Sequence, residues 1–376
     1  MTRSILHVAQ PRDAGVPRVA AALVSDQVGR GFEVSVASPP DGDLRLAAEH
    51  AGARWLPWSA TREPGPGTLG EARRLATIVR EVNPDLVHLH SSKAGLAGRL
   101  VLRGRRPVVF QPNSWSFEAA GGALGRAAIA WERLGARWAD VVVCVSADER
   151  RRAEQAGVLA RFAGIPNGVN LTHYAAATQE DRSAARAALG IATDTPLAVT
   201  VGRLARQKGQ DVLLSAWPRV LDRVDDAELV LVGEGPDRAA LEALGVPRVR
   251  FAGGVRDVRA WLAAASVIVQ PSRWEGMSIS LLEAMAAARG VVAADVSGMR
   301  EALAEGCGAV VATEAIEPLA DAVAERLAAP GLADREGAAG RRRVERQYDV
   351  RVITERMAEL YEQTIERRAS HLESII

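Results

Sequence analysis

Two glutamates eight residues apart, Glu275 and Glu283, lie in the stretch Ser-Arg-Trp-Glu-Gly-Met-Ser-Ile-Ser-Leu-Leu-Glu-Ala-Met-Ala at residues 272–286. Either carboxylate accepts hydrogen bonds from ligand hydroxyls. Gly276, Met277 and Ser278 between them offer backbone N–H groups that suit phosphate or sugar oxygens. Earlier in the chain, Arg203 and Lys208 flank a short loop in Gly-Arg-Leu-Ala-Arg-Gln-Lys-Gly at 202–209. Two cations at a strand-to-helix turn can clamp a pyrophosphate, the guanidinium as a bidentate fork and the ammonium as a point charge. If that pyrophosphate is a leaving group, preplaced cations stabilise the transition state more than the ground state. Plainer readings exist for both pairs. Ser280-Leu-Leu-Glu283 fits a capping box, in which Glu283 serves its own helix. An arbitrary Arg/Lys pair is most often solvated surface.

The neighbouring elements decide where these groups can meet. An apolar run at 267–270 predicts a buried strand before Glu275, and a helix-period segment at 281–288 follows. Glu275 then falls in the turn after a strand and Glu283 in the opening turns of the next helix. In an open α/β sheet, ligands bind at the carboxyl ends of the strands. Short apolar runs at 4–9, 32–37, 54–58, 86–90, 108–111 and 141–145 alternate with helical segments, the first of these at 17–29, which argues a parallel sheet covered on both faces. Ile-Pro-Asn-Gly-Val at 165–169 is a turn. The rhythm restarts at 197–201, 228–232, 249–252, 267–270, 291–294 and 309–311. The fold class is therefore α/β, two doubly wound halves joined near residue 170 and facing a central cleft.

Composition excludes several classes. The chain has 376 residues, 48% hydrophobic and 25% charged, and a net charge of +1, so nothing global points to nucleic acid. Cys144 and Cys307 have no CxxC neighbour, which argues against a metal site or a disulfide framework. The N-terminus runs straight into a strand pattern, and no apolar run is long enough to span a bilayer, so a cytoplasmic protein is expected.

The stretch 272–286 resembles the Glu-x7-Glu signature of the retaining GT-B glycosyltransferases, family 4 in particular. The resemblance implies that Glu275 binds donor-sugar hydroxyls and Glu283 the nucleotide ribose. The segment 202–209 resembles the family's Gly-Arg-x4-Lys-Gly element, which implies donor-phosphate roles for Arg203 and Lys208. Leu-Val-Gly-Glu-Gly-Pro-Asp at 231–237 matches the family's Gly-x-Gly-Pro loop, with Gly233 and Gly235 allowing close backbone approach. The region of Val255 is implied to contact the base, while Asp257 reads as a cap for a helix at 258–264. Ala-Asp-Val-Ser-Gly-Met-Arg-Glu at 294–301 is similar to the family's Gly-Gly-x-x-Glu turn, with Ser297 in place of one glycine. The implied fold is GT-B. It assigns residues 1–168 and a returning helix at about 350–376 to an acceptor-binding domain, and 169–349 to a donor-binding domain.

The first half resembles the family more loosely. In the loop Gln-Pro-Arg-Asp-Ala-Gly-Val-Pro-Arg at 10–18, only Gly15, beside Ala14, remains of the usual paired glycines. His88 and His90 share one strand face, and His90, at the strand end, is the catalytic candidate. Asn113 stands where the family often has a histidine near the reacting sugar; an amide hydrogen-bonds a hydroxyl but does not titrate. Trp115 and Phe117 read as stacking residues for a sugar ring or as packing. Arg99, Arg103, Arg105 and Arg106 read either as a solvated helix end or as a surface for docking at the inner face of an anionic membrane.

The implied activity is retaining transfer of a hexose-type sugar from a nucleotide sugar to the hydroxyl of a saccharide, lipid-linked or small-molecule acceptor, without cofactor or metal. Two alternatives stay open: a sugar-nucleotide 2-epimerase of the same fold, and a non-catalytic sugar-nucleotide-binding subunit.

Overall fold

A computed structural model describes residues 2–13, 15–61 and 65–373, with the side chains of 119 and 371–373 left undescribed. Ala14 therefore lies outside the described residues. The chain divides into two compact units, Met1–Gly168 with Val350–Ile376, and Val169–Asp349.

The first unit holds β1 (Ser4–Ala9), β2 (Glu33–Ser38), β3 (Arg54–Pro57), β4 (Leu86–His90), β5 (Val108–Gln111), β6 (Val141–Cys144) and β7 (Phe162–Gly164). They form a parallel sheet in the order β3-β2-β1-β4-β5-β6-β7. All of β4, β5 and β6 is buried, as expected of strands covered by helices on both faces. The C-terminal helix Val350–Glu373 belongs here because its apolar stripe, Ile353, Met357, Leu360 and Tyr361, joins Ile5, Leu86, Val109 and Val143 in one core. The helix Gly15–Gly29 begins two residues before the sequence expectation.

The second unit holds β8 (Leu197–Val201), β9 (Glu228–Val232), β10 (Val249–Gly253), β11 (Val267–Gln270), β12 (Gly290–Ala294) and β13 (Ala309–Val311). Their order is β10-β9-β8-β11-β12-β13, again parallel. Its core sets Leu213, Trp217, Leu229, Val267, Val292 and Val323 together. Successive strands run outward one way from β8 and the other way from β11. These two neighbours, paired through Ala198–Val267 and Val199–Ile268, therefore mark the switch point where the chain opens a crevice at its strand ends. In the first unit the same switch lies between β1 and β4.

Candidate functional site

The loop after β8 carries Arg203 and Lys208, and the loop after β11 carries Glu275. The two loops are stitched together. Arg273 N donates to Gln207 O at 2.8 Å, Gln207 Nε2 to Trp274 O at 3.1 Å, and Arg273 Nη1 to Arg206 O at 2.9 Å. Arg273 also forks onto Asp211 at 2.8 and 2.7 Å, tying the second loop to the helix Gln210–Leu221. That pairing holds the Asp211 carboxyl below the usual carboxylate range.

The stitching brings Lys208 Nζ to 2.6 Å from Glu275 Oε1, and Ser272 Oγ donates to the same oxygen at 2.9 Å. The Lys208 side chain is 21% exposed, whereas Glu275 is buried, so the pair sits at the edge of the core with its ammonium partly open to solvent. Ser278 caps the following helix, Ile279–Ala286, by accepting from Leu281 N. Its hydroxyl also donates to Gln270 Oε1 at 3.0 Å, anchoring the helix start to the end of β11. Gly276, Met277 and Ser278 thus form a fixed turn between the carboxylates.

Because Ser278 is the cap, the capping-box reading of Glu283 falls. Its carboxylate instead accepts from the Tyr174 hydroxyl at 2.8 Å, across 109 residues of sequence. Gly233, at the end of β9, has φ +150, and a Cβ there would lie 1.9 Å from Gly202 O. This glycine lets the β9 and β8 turns touch backbone to backbone. Val255 is 37% exposed on the loop after β10. The helix starts one residue later than expected, at Arg259, with Val258 rather than Asp257 at the cap position; Asp257, one residue earlier, accepts from Arg259 N at 3.0 Å and pairs with the Arg259 side chain.

In the first unit, Gly15 opens its helix beside the β1 end. Asn113 and Ser114 both have positive φ, 55° and 102°. This turn is held by Ser114 N donating to Glu149 Oε1 at 2.7 Å. Burial pushes the Glu149 carboxyl up to about 7.

Three expectations are corrected here. His90 is fully buried, with Nε2 at 2.9 Å from His7 Nδ1, so it touches other imidazoles rather than a substrate. Trp115 is 1% exposed; its indole donates to Glu149 O and stacks on Phe117, so it is a core residue with no face for a sugar ring. Arg99 is not part of a surface cluster: it is 1% exposed, paired with Glu132 at 2.8 Å and stacked over Phe110. Arg106 is half-buried and donates to Pro84 O, which leaves Arg103 and Arg105 as the exposed members.

The ligand atoms of His7, His88 and His90 lie within 4.8 Å of one another. His7 bonds to His90 and Gln27 and His88 to Tyr361, and none of the three is a carboxylate that would balance a cation so deeply buried.

Comparison with known proteins supplies the deciding observation. The profile of the family described as Glycosyltransferase Family 4 matches residues 14–173, and that of Glycosyl transferases group 1 matches 195–329. An alpha-maltose-1-phosphate synthase of Mycolicibacterium smegmatis is 34% identical over 336 residues, covering 79% of this chain and 86% of that protein. The chain belongs to glycosyltransferase family 4. A second relative of this glycosyltransferase, from Corynebacterium glutamicum, is a GDP-mannose-dependent monoacylated alpha-(1-6)-phosphatidylinositol monomannoside mannosyltransferase. It is 30% identical over 79% of this chain and 80% of that protein. The crystal structure of Anabaena Alr3699/HepE with UDP and glucose superposes with a TM-score of 0.82 at 21% identity, covering 95% of this chain and 99% of that one. The fold of the glycosyltransferase is thus GT-B, two Rossmann-like units in one chain.

Two residues at the site of the glycosyltransferase escape the sequence reading. Ser272 is three residues before Glu275, and nothing in its type distinguishes it from a turn serine. Tyr174 follows the Asn-Gly turn and carries no local signal of its distant partner.

Proposed function

We propose that this glycosyltransferase moves a hexose-type sugar from a nucleoside-diphosphate donor to an acceptor hydroxyl with retention of configuration. The observation that carries the reading is the contact of Lys208 and Glu275 on stitched loops at the β8/β11 switch point. In this reading residues 169–349 bind the donor, and the unit built from 1–168 and 350–376 binds the acceptor. Lys208 and Arg203 neutralise the departing diphosphate, Glu275 and the Gly276–Ser278 turn hold the sugar, Gly233 and Val255 border the nucleotide, and Glu283 holds the ribose. Gly15, from the family's glycine-rich loop, serves the donor sugar and phosphate, and Asn113 belongs to the acceptor side. The acceptor oxygen bonds to the anomeric carbon on the face the phosphate leaves. The carbon–oxygen bond to phosphate breaks, and the acceptor proton passes to the leaving phosphate oxygen. Preplaced cations serve this departure without a metal.

Mannosyltransferase relatives support GDP-mannose as the first donor to try. Their phosphatidylinositol mannosides favour a glycolipid acceptor. Among the described residues no helix is long and apolar enough to cross a membrane. Arg103 and Arg105, the exposed members of the basic cluster, are the groups an anionic surface would meet. Incubating the protein with labelled GDP-, UDP- and ADP-hexoses tests the reaction. Slow donor hydrolysis or transfer supports it, an epimerised donor supports the epimerase reading, and tight binding without turnover supports a binding subunit. Flotation with and without acidic lipid tests the docking; equal, negligible binding rules it out.

A further inference from the structure

The segment 170–174, which follows the Asn-Gly turn, is organised around its own backbone. Asn170 Oδ1 accepts the N–H groups of Thr172 and His173, each at 3.0 Å, and Tyr174 N donates to Asn170 O at 2.9 Å. Arg341 then ties the segment down, donating at 2.8 Å to Tyr174 O and at 2.7 Å to Ala286 O. Ala286 ends the helix that carries Glu283, so one guanidinium fixes Tyr174 relative to that helix. The phenol hydroxyl completes the link, donating to Glu283 Oε1 at 2.8 Å. Beside it the exposed His173 ring meets the Tyr174 ring edge-on, centroids 4.9 Å apart. His173 lies within electrostatic range of Asp257 and Tyr174 within range of Arg259. The segment is thus fixed against the helix that carries the second glutamate.

We infer that Tyr174 is a positioning residue for nucleoside recognition: its hydroxyl fixes the Glu283 carboxylate in the orientation that accepts ribose hydroxyls. This rests on the donor-site reading above. The hydrogen bond from a phenol whose segment is itself tied down helps hold the rotamer of a glutamate that is 2% exposed, so less freedom is lost when the ribose binds. Ribose selectivity then depends on a residue that lies about a hundred positions before the Glu-x7-Glu stretch and was not recruited for packing alone.

The test compares the affinities of GDP and UDP with those of their 2′,3′-dideoxy counterparts, by titration calorimetry, in the wild type, Tyr174→Phe and Glu283→Ala. The wild type should prefer the ribose form of whichever nucleotide binds. Tyr174→Phe should cut that preference about tenfold, leaving dideoxy affinity and the melting temperature unchanged. A preference equal to the wild type, or equal weakening of the ribose and dideoxy forms, overturns the role of Tyr174. If Glu283→Ala keeps the full preference, or neither nucleotide binds the wild type, the donor-site reading itself fails, whatever Tyr174 does.

Discussion

Lys208 Nζ and Glu275 Oε1 are 2.6 Å apart on the two loops that leave β8 and β11, and Ser272 donates to the same carboxylate oxygen. Without a donor the two charges satisfy each other. In the proposed reading, a bound diphosphate gives the ammonium a second anion and the carboxylate turns to sugar hydroxyls. Lys208→Ala and Glu275→Ala should each lower turnover by about 10²- to 10³-fold, the range for removing one preorganised group from a developing charge. Lys208 is partly exposed but Glu275 is buried, so melting temperatures are measured alongside turnover to separate a lost role from lost folding. Near-normal transfer by either variant, measured with labelled donor, contradicts the role given to that residue.

Gly233 tests the scaffold rather than the chemistry. A methyl group there would meet Gly202 O at 1.9 Å, on a backbone with φ +150 that L-residues avoid. Neither neighbour is a flexible side-chain end, so the β8 and β9 turns must separate. Gly233→Ala should destabilise the protein by about 2–4 kcal/mol, combining overpacking with backbone strain. Urea denaturation reads this, and a loss below about 0.5 kcal/mol would show that the turns tolerate separation.

The strands were legible because buried parallel strands are near-continuous apolar runs: β1, β4, β5, β8, β9, β11 and β13 have the bounds expected. Phe162–Gly164 was missed because three edge residues, two half-exposed and one exposed, show no periodicity. That Arg203, Lys208 and Glu275 fall on the loops after β8 and β11 was legible because the apolar runs mark where those strands end. The fates of Glu283, Trp115, His90 and Arg99 were not. Whether such a side chain faces solvent or the core depends on partners such as Tyr174, Glu149, His7 and Glu132, far away in sequence. Charge type alone cannot separate a buried arginine from a surface one.

Arg99 and its exposed neighbours should behave as different kinds of residue. The Arg99–Glu132 pair is 2.8 Å apart with each side chain 1% exposed. Removing the guanidinium leaves Glu132 buried with a weak contact from Ser116 Oγ at 3.3 Å. Arg99→Ala should cost about 3–5 kcal/mol, the scale for an uncompensated buried charge. Arg103→Ala and Arg105→Ala should each stay within about 0.5 kcal/mol, as exposed substitutions do. Urea denaturation of the three variants checks the contrast, and equal stability of all three would refute the burial of the pair.

The buried histidines should make the first unit acid-labile. Burial lowers the His7 pKa from 6.5 to about 4 and holds His88 and His90 well below their ordinary value. Each imidazole is therefore neutral in the folded state at neutral pH. Between pH 6.5 and 4 the unfolded chain binds a proton at His7 that the native state refuses, so stability is full above pH 6.5 and falls as the pH drops through that window. From pH 7 to pH 5 the loss from His7 alone is roughly 2 kcal/mol. Glu149, pushed up to about 7, contributes with the opposite sign, because its folded state holds a proton the unfolded chain releases. A difference measurement removes it. Urea denaturation at pH 7 and pH 5 should show that the wild type loses about 2 kcal/mol more than His7→Gln, which keeps a polar group beside Gln27 but cannot titrate. Equal losses in the two proteins would mean that His7 titrates normally in the fold and that the β1–β4 histidine contact opens to water.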